Sequence, residues 1–249
     1  MSSLASSKIT SLASSGAYFL NKGWVRMLLQ LSATNALNKW LEADFPRLPA
    51  GEGKQAGVNK LTSDAATMSW QVHLIENRYR SLEKTFIVCE ANSLFTYFIP
   101  LNRMIFSPDE LAERLKIEWQ FAFVEALETY ALESNGLISH YDIATLLSKL
   151  NDIQFSTKWI KNTDPSVNGH IADAAQWVTQ TLEERNLARL SQPLAFEISS
   201  YINCQTKSIK VNNKKQRLIP IERLLEYVQQ ITETTPPSVD MSNVVPFRR

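Results

Sequence analysis

The chain has 249 residues, 44% apolar and 20% charged, with a net charge of +1. That is enough apolar residue for one large domain with a real core, and too balanced a charge for a global pull toward nucleic acid or an acidic membrane. Two cysteines with no Cys-x-x-Cys spacing argue against structural zinc, and no apolar run approaches the ~18 residues of a membrane span.

Residues 1–26 are rich in serine, and the first carboxylate is Glu42. They lack the continuous apolar stretch of a secretory signal. They read as a disordered extension or an over-long start, with the folded domain opening at Met27. Leu28–Leu31 then reads as a short strand. Thr34 is placed to cap a following helix through its hydroxyl, with Leu37, Trp40 and Leu41 on one face and Pro46 and Pro49 as the stop. The glycine-rich loop beyond contains Gly51, Gly53 and Lys54 but not the Gly-Lys-Ser/Thr ending of a phosphate loop.

Met68, Trp70, Val72 and Leu74 alternate with Ser69, Gln71 and His73, the pattern of a half-buried strand. Thr85–Cys89 returns as an apolar strand, making a hairpin. Asn92 or Ser93 then reads as the start of a short helix through Leu-Phe-Thr-Tyr-Phe-Ile, ended by Pro100. Ser107-Pro108-Asp109-Glu110 is the clearest helix start: a capping box with proline at the first helical position. That helix is expected to run to about Glu133, with Gly136 as its stop and Leu111, Leu115, Trp119, Ala122, Ala126 and Tyr130 as its stripe. A second capping box, Ser139 with Asp142, opens the next helix.

Ile153–Ile160 reads as a strand. Asp164 caps a helix from Pro165 to about Leu187, with Ile171, Ala175, Val178 and Leu182 as its stripe. Residues 194–202 fit strand or helix equally. Pro220 opens a last helix with Ile221, Leu224, Leu225 and Val228 buried. Residues 232–249 read as a disordered tail with an apolar Val244–Phe247 end suited to a partner. The expected organisation is one α+β domain over 27–231, with a small, mainly antiparallel sheet and helices packed against it.

Three segments carry a resemblance: the stretch from Met27 to Leu41, the stretch from Trp70 to Leu101, and the stretch from Ser156 to Val178. In this order they resemble a family of uncharacterised bacterial proteins, often found near mobile elements, over about residues 27–228. Two departures stand out. The family's Trp-His pair is spread here over Trp70-Gln71-Val72-His73, and the arginine it has before Ser166 is Pro165. The family has no established activity to carry over, so the resemblance implies a fold more than a function.

The candidate residues fall into two groups. His73, Asn168, Gly169 and His170 form a candidate anion or ligand site at the helix entry over 164–173, because helix amides favour negative charge. Gly169 costs about 1 kcal/mol relative to alanine in a helix, which raises the question of a close backbone approach by another element or a ligand. Lys207, Lys210, Lys214, Lys215 and Arg217 form a basic run around an Asn212-Asn213 turn, in a stretch with no acid from Ile198 to Ile221. Such a run can meet nucleic-acid phosphates or simply be a solvated hairpin. Nothing in the spacing of His73, His140 and His170 makes a metal motif, no nucleophile motif is present, and no cofactor is implied. The expectation is a non-enzymatic, cytoplasmic binding or interaction protein with a protein partner. The alternative is an enzyme or anion binder at the 164–173 entry.

Overall fold

The computed structural model describes residues 25–49, 55–76, 83–101, 107–133, 139–211 and 214–233. The leader up to Trp24, Gly51, Gly53 and Lys54, Gly136, the Asn212-Asn213 turn, the tail from 234 onward with Val244–Phe247, and the side chains of Lys210 and Lys214 lie outside them.

In chain order the elements are β1 (Val25–Ala33), α1 (Asn35–Trp40), β2 (Thr67–Glu76), β3 (Lys84–Glu90), β4 (Thr96–Leu101), α2 (Pro108–Glu133), α3 (His140–Asn151), β5 (Ile153–Lys161), α4 (Pro165–Glu184), α5 (Gln192–Cys204), β6 (Lys207–Val211), β7 (Lys214–Leu218) and α6 (Pro220–Glu233). Five strands make one sheet in the order β4-β3-β2-β1-β5, and β6 and β7 form a separate hairpin. β1 pairs in parallel with both β2 and β5; β2·β3, β3·β4 and β6·β7 are antiparallel. The α+β class is as the sequence implied; the five-stranded sheet is mixed, with two parallel and two antiparallel pairings, and the separate β6·β7 hairpin adds a third antiparallel one. No helix among the described residues is long and apolar enough to cross a membrane.

The period-2 pattern of the strands sorts the core into two sides. On one side Trp70, Phe86, Tyr97 and Ile99 meet Leu111, Leu115, Trp119 and Phe123 of α2 and Leu224 and Val228 of α6. Trp119 is the centre of this layer, with ring centroids 5.9 Å from Trp70 and 6.0 Å from Phe155. On the other side Ile87, Cys89 and Phe98 meet Val167, Ile171 and Val178 of α4 and Leu194, Ile198 and Ile202 of α5. Both capping boxes form: Ser107 N donates to Glu110 Oε2 at 2.9 Å while Glu110 N donates to Ser107 Oγ at 3.2 Å, and Ser139 with Asp142 repeats the exchange. Pro220 opens α6 as expected, and residues 194–202 resolve as helix.

Four readings are corrected. The segment after Asn92 is strand β4. Its Thr-Tyr-Phe-Ile run is β-branched and aromatic, with Tyr97 and Ile99 on one face and Phe98 on the other. Pro100 is tolerated because β4 is an edge strand. Thr34 makes no side-chain cap to α1; its hydroxyl lies 3.0 Å from His73 Nδ1 instead. α1 ends at Trp40, before either proline, through Glu42 at φ 50°. β1 begins at Val25, pairing there with Ile153, so the sheet starts two residues ahead of Met27.

The two edges of the sheet are treated differently. α5 lies along β4, and the Asn203 amide takes both backbone groups of Thr96: Thr96 N donates to Asn203 Oδ1 at 2.8 Å, and Asn203 Nδ2 donates to Thr96 O at 2.7 Å. At β5 the outer backbone edge, among the described residues, meets the chain only at Lys161, through the Arg47–Lys161 bridge and a 2.9 Å bond from Lys161 N to Pro46 O, while the Trp159 ring stacks on Phe45 and donates to Pro108 O.

Candidate functional site

β1 and β5 are adjacent parallel strands whose following helices, α1 and α4, pack on opposite sides of the sheet. The carboxyl ends of such a pair usually frame a ligand crevice. Here residues 57–61 cross it and take up its backbone and side-chain polar groups, leaving beside the helix entry a concavity of about 450 Å³ lined by Gln55, Val58, Lys60, Asp164, Pro165 and Ser166. Asn59 N donates to Asn162 Oδ1 at 2.8 Å and Asn162 Nδ2 returns to Asn59 O at 2.9 Å. Leu61 N donates to Asp164 Oδ2 at 2.7 Å, and Thr163 N to Gly57 O at 3.0 Å.

The same crossing decides the helix entry. Asp164 caps α4, its Oδ1 accepting from Ser166 N at 2.8 Å, and its own amide donates to Gln71 Oε1 at 2.7 Å. The buried Asp164 carboxylate is therefore the anion at the α4 N-terminus. Pro165 has no amide to offer. Gly169 is exposed, and a Cβ there would meet nothing within 4 Å, so no neighbouring element calls for that glycine. Asn168 is half-buried one turn into the helix. His73 is half-buried on β2 with Thr34 as its partner, and burial pushes its imidazole pKa down.

His170 has a different setting. It lines a cavity of about 300 Å³ with Asp173, Ala174 and Trp177 of α4, Tyr201 and Ile202 of α5, and the turn into β6 through Lys207 and Ser208. His73, Asn168 and Gly169 do not line it. Thus one residue from each candidate group, His170 and Lys207, meets the other in one cavity. β6 brings them together by returning beside α4 after α5.

The electrostatics of this cavity follow from burial. Lys207 is half-buried, and burial pushes its pKa below the ordinary 10.5, with Cys89 and Asp173 opposing the shift. Among the described residues Lys207 has no ion-pair partner within 4 Å. Burial, then the Lys207 charge, lower the His170 pKa from its ordinary 6.5, with Asp173 opposing. Cys89 behind Lys207 is fully buried and its thiol is pushed up to about 11, so it is a packing residue and not a nucleophile.

Trp177 and Tyr201 form the rim, their rings 5.2 Å apart at 63°. They are 43% and 48% exposed, unusual for such large rings, and neither was singled out from sequence. The signal was there: Trp177 sits beside Val178, off the buried stripe of α4. Of the remaining basic run, Lys215 and Arg217 are exposed on β7 and do not line the cavity. Among the described residues no cluster of three His, Cys, Asp or Glu side chains is placed to hold a metal ion. A cation, an imidazole and a carboxylate below two exposed rings can receive an anionic group, a hydrogen-bonding group and a flat ring together. Compared with protein-family models and with curated proteins, the chain matches none.

Proposed function

We propose that this chain is a non-enzymatic binding protein whose ligand is a small organic anion carrying a planar ring, of the nucleoside monophosphate class. The observation that carries the reading is the convergence of His170 and Lys207 beneath Trp177 and Tyr201. A partly desolvated ammonium without an ion-pair partner favours an incoming anion, because its charge is poorly screened there. Asp173 supplies an acceptor for ligand hydroxyl or amino groups. The exposed rings supply stacking, worth about 1–3 kcal/mol for a base. A cavity of this size sits at the lower end for small-molecule sites. Kinship with the mobile-element-associated bacterial family and a cytoplasmic setting belong to the same proposal; the free thiols Cys89 and Cys204 are in keeping with a reducing compartment.

The test is calorimetric titration with adenosine 5′-monophosphate, adenosine and inorganic phosphate. Binding of the monophosphate is expected, with adenosine and phosphate each at least tenfold weaker. Lys207→Met should abolish it while the melting temperature holds. Because the His170 pKa is lowered, affinity should rise as pH falls through and below 6.5, and His170→Gln should remove that rise. Equal binding by wild type and Lys207→Met would overturn the reading.

A further inference from the structure

A second concavity, of about 870 Å³, lies on the far side of the molecule's sheet from β4. Its walls are Lys116, Ile117 and Gln120 of α2, the end of α3, Arg26 of β1, and the consecutive residues Ile153 to Ser156 of β5. Consecutive strand residues point to opposite sheet faces. A hollow that touches 153, 154, 155 and 156 in turn must therefore wrap the strand's outer edge rather than sit on one face. That edge is open: among the described residues its backbone meets another segment only at Lys161. Its neighbours on α2 are apolar and bare, Ile117 at 53% and Phe121 at 61% exposure. The lining holds two cations, Arg26 and Lys116, and no carboxylate. Lys116 is paired at 2.5 Å with Glu113, which lies outside the lining. Lys158 is the one charge between residues 153 and 160 of the strand and is exposed.

We infer that the β5 edge is a docking site for an extended, acidic peptide segment of another protein, which adds as a sixth strand. Strand addition to a free edge takes its affinity from main-chain hydrogen bonds and its specificity from alternate side chains. Here alternate apolar side chains would rest on Ile117 and Phe121 on the α2 side, and carboxylates would meet Arg26 and Lys158 on the other face, with Lys116 at the rim of the groove. Charge decides among occupants. A second copy would set these cations against themselves. The chain's own end, which closes in Arg248-Arg249, brings the wrong sign. An acidic strand complements both the edge and its charge. The inference stands apart from the His170–Lys207 cavity.

The probe is a heptapeptide of sequence Glu-Val-Glu-Val-Glu-Val-Thr, carrying fluorescein on its N-terminal amine and amidated at its C-terminus, read by anisotropy against the full chain. Binding is expected to be at least tenfold stronger than for the same peptide with lysine in place of glutamate, and lost when the central valine is proline. The double variant Arg26→Glu/Lys116→Glu should reverse the charge preference, and Ile117→Glu should weaken binding at least fivefold; both are surface changes, and the melting temperature checks that the variants fold. No binding at 1 mM peptide, or binding indifferent to the charge swap, would sink the idea. So would a stable dimer that excludes the peptide, or binding seen only after residues 234–249 are removed, since these give the groove to a second copy or to the chain's own end.

Discussion

The sheet has two edges and treats them in opposite ways. At β4 a side-chain amide from α5 satisfies the N–H and the C=O of Thr96, and the strand is buried along its length. At β5 a strand of nine residues alternates in exposure from Ile153 to Lys158, and among the described residues its outer backbone edge meets only Pro46 and Arg47 at its end. Unpaired strand edges invite further pairing, and proteins cover or charge those they do not use. This chain seals one edge at Thr96 and leaves the other beside a groove, with Lys158 as the one charge between residues 153 and 160. The difference teaches that the open edge is not a general looseness of the fold: the same molecule closes the equivalent position when closure is needed.

The comparison breaks first at Asn203. Asn203→Ala leaves two buried backbone groups of Thr96 without partners, and should cost about 2–4 kcal/mol in urea unfolding. A loss below about 0.5 kcal/mol would mean that α5 does not seal the edge. The turn leading into β4 gives the next test. Glu90 is buried and takes hydrogen bonds from Ser63, Asn92 and Ser93, the last through both N and Oγ at 2.6 Å. Burial outweighs these bonds and raises its pKa above the ordinary 4.5. An acid raised in this way holds its proton more tightly when folded. Stability should therefore increase as pH falls from neutrality through the folded value toward 4.5, with no further gain below. Glu90→Gln should remove that increment, seen as the difference between the two proteins' urea midpoints at pH 7 and pH 5. A constant difference would contradict the burial argument. Gly169→Ala, on an exposed helix position with open space for the methyl, should stabilise by about 0.5–1 kcal/mol. Destabilisation there would reveal a demand on the backbone that the fold does not show. The smallest effect belongs to the open edge itself. Lys158→Ala should change the stability of the isolated chain by less than about 0.5 kcal/mol. A larger change would show that the edge is already engaged.

What could be read in advance was what is local. Ser107 with Glu110, Ser139 with Asp142, and Asp164 with Pro165 mark helix starts through bonds spanning three residues or fewer. The period-2 run over Met68–Leu74 marks the strand but not its burial: β2 lies inside the sheet, and Ser69 and Gln71 on its second face are fully buried, so it is not the half-buried strand the alternation implied. β4 was missed because its short, aromatic run has helix-like flanks, and what makes it a strand lies elsewhere: the β3 register and Asn203, more than a hundred residues on. Thr34 was missed as a cap because His73, 39 residues away, takes its hydroxyl. The cavity shows the same limit. His170 and Lys207 were each legible as functional residue types, one for its place at a helix entry and one for its place in a basic run. Their meeting depends on how β6 packs beside α4, which no spacing along the chain encodes. Gly169 drew attention for a cost that nothing in the fold explains.

The interior placement of β1, between β2 and β5, has a consequence for how the chain is made. β1 leaves the ribosome well ahead of its partner β5, which follows 128 positions later, as the pairing of Val25 with Ile153 shows. At about 5–20 residues per second, that is a wait on the order of 10 s during which one side of β1 has no strand to join. Any product interrupted before Lys161 would carry that exposed flank permanently, so shortened chains ending ahead of β5 should be recovered as aggregates rather than as smaller folded domains.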